Sequence, residues 1–169
     1  MLAQLSLYRR PLNFAGFAIC LLLVAAAYYL QFVDGLEPCP LCIFQRVALL
    51  LLGGVFLLAA LHNPLRFGRY IYGVGLALAA LLGGAISARH VWLQSLPADQ
   101  VPDCGPGLNY LLDTFPLMDV IAIALRGSGE CAEVDLFFGL SIPWWTLLAF
   151  IGLGVAGLVI NVVAAARAS

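Results

Sequence analysis

Residues 37–52 read EPCPLCIFQRVALLLL, and the apolar run that starts inside this stretch continues to residue 61. Two cysteines stand two residues apart between prolines, and a permanent charge, Arg46, follows one turn into the run. A helix needs about 20 predominantly apolar residues to cross the hydrocarbon core of a bilayer. Residues 43–61 reach that length with a single charge, so a C-x-x-C unit sits at the mouth of a membrane span.

The chain on either side has the same character. Mean hydropathy is +1.02, with 63% hydrophobic and 10% charged residues among 169, too little polar surface to coat a water-soluble globule. Residues 12–33 and 70–88 carry no charge, and the uncharged stretch 136–166 is long enough to include a loop as far as Pro143. The expected fold is all-α, an integral membrane four-helix bundle with spans at about 12–33, 43–61, 70–89 and 143–165. The expected organisation is one membrane domain over 1–169, with outward loops at 34–42 and 91–142.

Charge sets the expected orientation. Arg9 and Arg10 precede the first span, Arg66 and Arg69 follow the second, and Arg167 follows the fourth. The positive-inside rule therefore puts both termini and the middle loop in the cytoplasm. All nine acidic residues fall in the two outward loops, where Arg126 is the basic exception. The N-terminal RRPLNFAGFAICLLLVAAA shares the basic start and apolar middle of a cleavable signal, but its apolar run continues through Tyr28 and Tyr29 to Val33, too long for one.

Cys39, Cys42, Cys104 and Cys131 then belong to the outward, oxidising side, and Cys20 lies in mid-span as a small packing residue. Two structural cross-links are one reading of the four outward thiols. A two-residue loop closed by a disulfide constrains little, however, and a C-x-x-C unit suits redox cycling. With Pro38 and Pro40 stiffening the turn and a helix expected from Ile43, Cys42 stands at a helix N-terminus whose unpaired N–H groups suit an anionic sulfur. Arg46 lies on the same face one turn deeper, beside that sulfur and any oxyanion near it, or else snorkels to the interface.

Neither a dinucleotide fingerprint nor a haem attachment motif is present, and Gly53-Gly54 and Gly83-Gly84 lie within spans, where small residues mean close helix packing. A lipid-soluble quinone is the electron acceptor available at this depth. Arg46 and Cys42 are candidates to meet its head group, and His90, at the outward end of the third span, is either a further ligand or a polar helix-end residue.

The motif CPLCIFQR at the mouth of the second span, followed by PDCGPG and SGECAE in the second outward loop, resembles the DsbB family of disulfide-generating bacterial membrane proteins. The resemblance covers nearly the whole chain. It implies a thiol-disulfide oxidoreductase of the inner membrane that reoxidises a periplasmic DsbA-like dithiol oxidase and reduces ubiquinone or menaquinone, with no nucleic-acid partner. By similarity, the partner attacks Cys104 of a Cys104–Cys131 disulfide, Cys131 then engages Cys39, and electrons leave through Cys42 beside Arg46. The vitamin K epoxide reductase-like family shares the chemistry, but its loop cysteines precede the C-x-x-C, whereas here they follow it.

Around Cys104 the segment LPADQVPDCGPGLNY is expected to be extended and mobile, and RGSGECAE around Cys131 reads as loop. Between them a short helix is expected, capped by Thr114 with Pro116 in its first turn and an apolar face of Leu117, Val120, Ile121 and Ala124. That helix lies flat on the bilayer or packs on the end of the bundle. Tyr28, Tyr29, Trp92, Trp144 and Trp145 fit an interfacial aromatic belt, with a place in the acceptor pocket as the alternative for one of them; Gly152, Gly154 and Gly157 suggest close helix approach, and His62 reads as a loop residue. Two alternative classes are a scaffold stiffened by disulfides and a metal-binding membrane protein using the four outward cysteines as ligands. Zinc sites usually join two close pairs, and Cys104 and Cys131 are widely separated.

Overall fold

The computed structural model describes residues 8–64, 67–97, 99–102 and 108–163. Cys104, together with Arg66, Asp103 and Arg167, lies outside the described residues. Four long helices carry the fold: α1 (Arg9–Phe32), α2 (Pro40–His62), α3 (Gly68–Gln94) and, near the C-terminal end, α6 (Ile142–Leu158), which continues into a π-helical turn over Val159–Val163. Each is long and apolar enough to cross a membrane. Two short helices, α4 (Leu108–Thr114) and α5 (Leu117–Arg126), a 3₁₀ turn (Gly129–Ala132) and a small hairpin, β1 (Leu136–Phe137) with β2 (Leu140–Ser141), connect α3 to α6. The hairpin is the departure from an all-helical plan. Its turn residues Phe138 and Gly139 both have positive φ, the geometry that matches the twist of a two-residue hairpin loop.

The bundle closes by α1 packing on α2, α2 on α3, and α3 on α6. Lipid gives apolar side chains no reason to leave it, so helices in a bilayer associate through close packing, which needs notches. Phe56 of α2 fills a notch at Gly16 of α1, and Phe150 of α6 fills one at Gly83 of α3. A Cβ at Gly83 would lie 2.1 Å from the Phe150 ring, and one at Gly16 would lie 2.7 Å from Phe56. Of the glycines expected in interfaces, Gly53, Gly83, Gly154 and Gly157 meet a neighbour closely, whereas Gly54 and Gly152 face open space. Cys20 packs against Gly53, buried in the core.

Polar side chains fix the register at the end of the bundle away from the cysteine pair. Asn13 of α1 and Asn161 of the π turn exchange amide hydrogen bonds of 3.2 and 3.0 Å, and each also donates to a carbonyl of its own helix. Buried amides need such partners in an apolar interior. Arg9 donates through two nitrogens to Asn63, the left-handed C-cap of α2. His62 is not a loop residue: it occupies the last turn of α2 and hydrogen-bonds the Tyr72 hydroxyl of α3.

The expected helix between the loop cysteines is present with its start displaced. Thr114 ends α4, and Pro116 is the N-cap of α5 and not its first-turn residue. Val120 and Ala124 are buried against the bundle, while Leu117, Met118 and Leu125 remain exposed, so α5 packs on the end of the bundle and keeps an apolar outer face.

Candidate functional site

The start of α2 builds the site. Cys39 is its N-cap, with extended backbone, and Pro40 follows at the first helical position, where a fixed φ and a missing N–H cost nothing. The helix therefore begins three residues before the expected Ile43, and Cys42 sits inside the first turn. The Cys42 amide donates to the Cys39 sulfur over 3.4 Å, so a thiol takes the place usually held by a serine or aspartate oxygen. The two sulfurs are 3.3 Å apart.

They face different surroundings. Cys42 lines a cavity of about 290 Å³ between α1, α2, α6 and the hairpin. Leu23, Ala26, Ala27 and Leu30 of α1 and Leu49 of α2 form apolar walls; Phe137, Phe138 and Trp145 add flat aromatic surface; Gln31, Gln45, Arg46 and Thr146 supply polar atoms. The Trp145 indole donates to the Phe137 carbonyl over 2.8 Å, which ties the hairpin to α6 at the cavity. Arg46 lines the same cavity one turn from Cys42. Its guanidinium donates to the Gln31 side chain at 2.5 Å and the Ala27 carbonyl at 3.1 Å and lies 4.8 Å over the Tyr28 ring, so α1 holds it in place and its charge stays at the cavity wall.

Cys39 turns the other way, into the interior, where it is buried beside His90 and Cys131. His90 Nε2 is 3.8 Å from the Cys39 sulfur, and Nδ1 is 3.1 Å from the Gln45 amide, itself joined to the Thr146 hydroxyl at 2.9 Å. His90 is thus placed behind Cys39, separated from the cavity, where Gln45 and Thr146 stand in the position foreseen for it. Gln31, Gln45 and Thr146 escaped the sequence reading, although a polar side chain inside an apolar span is itself a signal.

Cys131 lies in the loop segment expected from RGSGECAE, on a 3₁₀ turn that is well anchored. Gly127, at φ +84°, packs on Leu93; Arg89 donates to the Arg126 carbonyl at the end of α5; Gln94 donates to the Glu133 carbonyl. These contacts carry the 3₁₀ turn down onto α2 and α3, and Cys131 is wholly buried there. Its contact with the Cys39 sulfur, and then burial, hold the Cys131 thiol above the ordinary range for cysteine. Of the sequence-predicted site residues, Cys39, Cys42, Arg46, His90 and Cys131 come together in this region; Cys104 lies outside the described residues.

Comparison with known proteins gives one consistent result. The family model described as disulfide bond formation protein DsbB matches residues 9–160. Disulfide bond formation protein B of Nitrosococcus oceani is 60% identical over 146 residues, covering 86% of this chain and 86% of its own. The protein of that name from Hahella chejuensis is 54% identical over 147 residues, covering 86% and 89%, and that from Methylococcus capsulatus is 53% identical over 145 residues, covering 85% and 88%.

Proposed function

Given that this chain belongs to the DsbB family of disulfide-forming membrane oxidoreductases, we propose that it takes electrons from a DsbA-like dithiol protein and delivers them to a membrane quinone. The observation that carries this reading is the two-faced thiol pair: Cys39 is buried in the cluster that holds Cys131, whereas Cys42, 3.3 Å away, opens onto an apolar cavity with Arg46 in its wall.

The cavity fits a quinone head group. Its aliphatic and aromatic walls suit a flat ring, and Arg46 provides charge-assisted donors for a carbonyl oxygen. Leu23, Leu30, Phe137, Phe138 and Trp145 would hold the ring, with Arg46 and Thr146 toward its oxygens. When bound, the quinone supplies a two-electron acceptor that ends the relay.

The chain's own part is thiol-disulfide exchange. The partner's thiolate attacks Cys104 of a Cys104–Cys131 disulfide, breaking that bond and freeing Cys131. The Cys131 thiolate then attacks Cys39 of an oxidised Cys39–Cys42 pair; the Cys131–Cys39 bond forms, the Cys39–Cys42 bond breaks, and Cys42 leaves as a thiolate toward the cavity. The partner's second thiol attacks its own sulfur in the mixed disulfide and frees Cys104, whose thiolate attacks Cys131; the Cys104–Cys131 bond re-forms, the Cys131–Cys39 bond breaks, and the reduced Cys39–Cys42 pair holds the partner's two electrons for the acceptor. In this reading the cysteine end of the bundle faces the periplasm across the inner membrane.

The test is turnover by the purified protein with a reduced DsbA-like protein and a quinone. Two thiols should be consumed for each quinone reduced, and replacing Cys39, Cys42, Cys104 or Cys131 should stop turnover, while Cys20→Ala retains it. Sustained quinone reduction by a Cys42→Ser variant would overturn the assignment.

A further inference from the structure

The arrangement behind the pair has a second chemical capacity. Cys39, Cys42 and His90 each offer one ligand atom, and the three atoms lie within 4.8 Å of one another. Around a tetrahedral Zn²⁺, with bonds of about 2.3 Å to sulfur and 2.0–2.1 Å to nitrogen, neighbouring ligand atoms sit roughly 3.5–3.8 Å apart. The Cys39–Cys42 edge is 3.3 Å, the Cys39–His90 edge is 3.8 Å and the Cys42–His90 edge lies within 4.8 Å, so side-chain rotations that draw Cys42 and His90 together complete a ligand face.

The groups behind His90 determine whether its Nε2 can ligate. That atom needs a free lone pair, so Nδ1 must carry the proton and donate to an acceptor. With the Gln45 nitrogen facing the ring, the Thr146 hydroxyl has one proton for two acceptors, the Gln45 oxygen at 2.9 Å and the Pro143 carbonyl at 2.9 Å. A half-turn of the Gln45 amide resolves this, since its two heteroatoms exchange places with little change in shape. His90 Nδ1–H then donates to the Gln45 oxygen, the Gln45 nitrogen donates to Thr146, and Thr146 donates its proton to Pro143. Nε2 is left with its lone pair toward Cys39, held by the kind of outer hydrogen bond that orients metal-bound histidines.

We propose that the reduced Cys39–Cys42 pair and His90 form a binding site for a soft divalent cation, Zn²⁺ or Cd²⁺, and that its occupancy holds the pair as an unreactive dithiolate. Binding exchanges two thiol protons for one ion; no electron moves. Two thiolates and a neutral imidazole balance the ion's charge, so the assembly is neutral where a net charge would be expensive. The ion enters past Cys42 from the cavity, which Glu37 and Asp135 also line, and the fourth position remains on that side for water. Oxidation of the pair removes both anionic ligands, so the site exists in one redox state alone.

The test uses the full-length C20A/C104S/C131S variant in detergent, so that Cys39 and Cys42 are its sole thiols. Reduced, desalted protein is titrated with Co²⁺ or Cd²⁺ without quinone or partner, reading the tetrahedral Co²⁺ visible bands or the Cd²⁺-thiolate ultraviolet absorption. One ion per chain is expected, with no binding once the pair is oxidised and none in the same background with Cys42→Ser. His90→Gln should lose the nitrogen ligand and weaken affinity at least about tenfold, and Gln45→Leu, which leaves every ligand in place, should weaken it by about 10–100-fold. Absence of saturable binding, equal binding to the oxidised pair, or unchanged affinity in both His90→Gln and Gln45→Leu would refute the site. None of these readouts depends on quinone turnover, so they stand or fall separately from the proposed activity.

Discussion

Replacing Arg46 with methionine keeps the apolar stem and removes the charge. Arg46 donates to Gln31 and to the Ala27 carbonyl, and these bonds engage two of the five guanidinium N–H groups. Under the proposed function the rest are available to a quinone oxygen in the cavity that Arg46 lines. A hydrogen bond to a charged group is worth about 1.5–3 kcal/mol, and about 1.4 kcal/mol is a factor of ten, so losing one such bond should raise the KM for quinone roughly ten- to a hundredfold. Arg46→Lys keeps the charge but not the planar fork that reaches α1 and the cavity together, so its KM should fall between wild type and Arg46→Met. The assay follows quinone absorbance at saturating reduced partner, over a range of quinone concentrations. Thermal unfolding in parallel separates a binding defect from loss of the α1 anchor, which should cost about 1.5–3 kcal/mol for each lost bond from the charged guanidinium. A quinone KM within twofold of wild type in a folded Arg46→Met protein would remove Arg46 from the acceptor site.

Three further outcomes follow from the geometry. Gly83→Ala drives a methyl into the Phe150 ring and should destabilise the bundle by about 1–3 kcal/mol, whereas Gly84→Ala, whose nearest neighbour is at 3.9 Å, should leave the unfolding temperature unchanged or raised. Asn13→Leu and Asn161→Leu should each cost about 1–3 kcal/mol by stranding a buried amide, and the double variant should cost less than their sum, as a double-mutant cycle on unfolding measures directly. In the reduced protein Cys131 should alkylate with a pH midpoint above the ordinary thiol value of about 8.5, and Cys39→Ser, which removes the leading cause, should bring that midpoint down. Because the folded-state value is the raised one, Cys131 supports folding at and below that ordinary value and the support fades as pH climbs above it; stability of the reduced protein that rose in alkali would contradict the assignment.

The spans were legible because hydropathy and helix length are properties of the chain alone. A run such as 43–61 must satisfy its own backbone in lipid, and only a helix does so. The thiol pair and Arg46 were legible for a similar reason, since four residues separate Cys42 from Arg46 and that spacing puts them on one helix face. What could not be read was direction across the bundle. Gln45 is adjacent to Arg46 in sequence yet points to His90 and Thr146, on two other helices. The side of Cys39 on which His90 falls depends on how α3 packs against α2, a matter of contacts such as Gly75 against Val55 and not of local pattern. Glycine and serine around Cys131 read as loop, but its burial could not be read there, because the anchors of the turn, Leu93, Gln94 and Arg89, come from the distant end of α3.

The start of α2 at Pro40, which leaves Cys39 outside the helix and Cys42 within it, explains why two sulfurs in van der Waals contact serve two surroundings. Had the helix begun before Cys39, the pair would occupy positions i and i+3 of a regular helix, neighbours on one face, and both would look into the cavity. Pro40 favours a start at its own position, since its ring supplies helical φ and its missing N–H leaves no donor unpaired, and it disfavours helical backbone at the residue before it. Cys39 therefore keeps extended backbone, and its sulfur swings back over the helix end to accept from the Cys42 amide. That swing carries it to Cys131 and His90 while Cys42 stays on the helix face above Arg46. Under the proposed function the first turn of α2 thus separates a thiol-facing sulfur from an acceptor-facing one. The two sulfurs, 3.3 Å apart, exchange electrons by forming and breaking a single bond of about 2.05 Å, a gap that side-chain rotation closes without moving the helix.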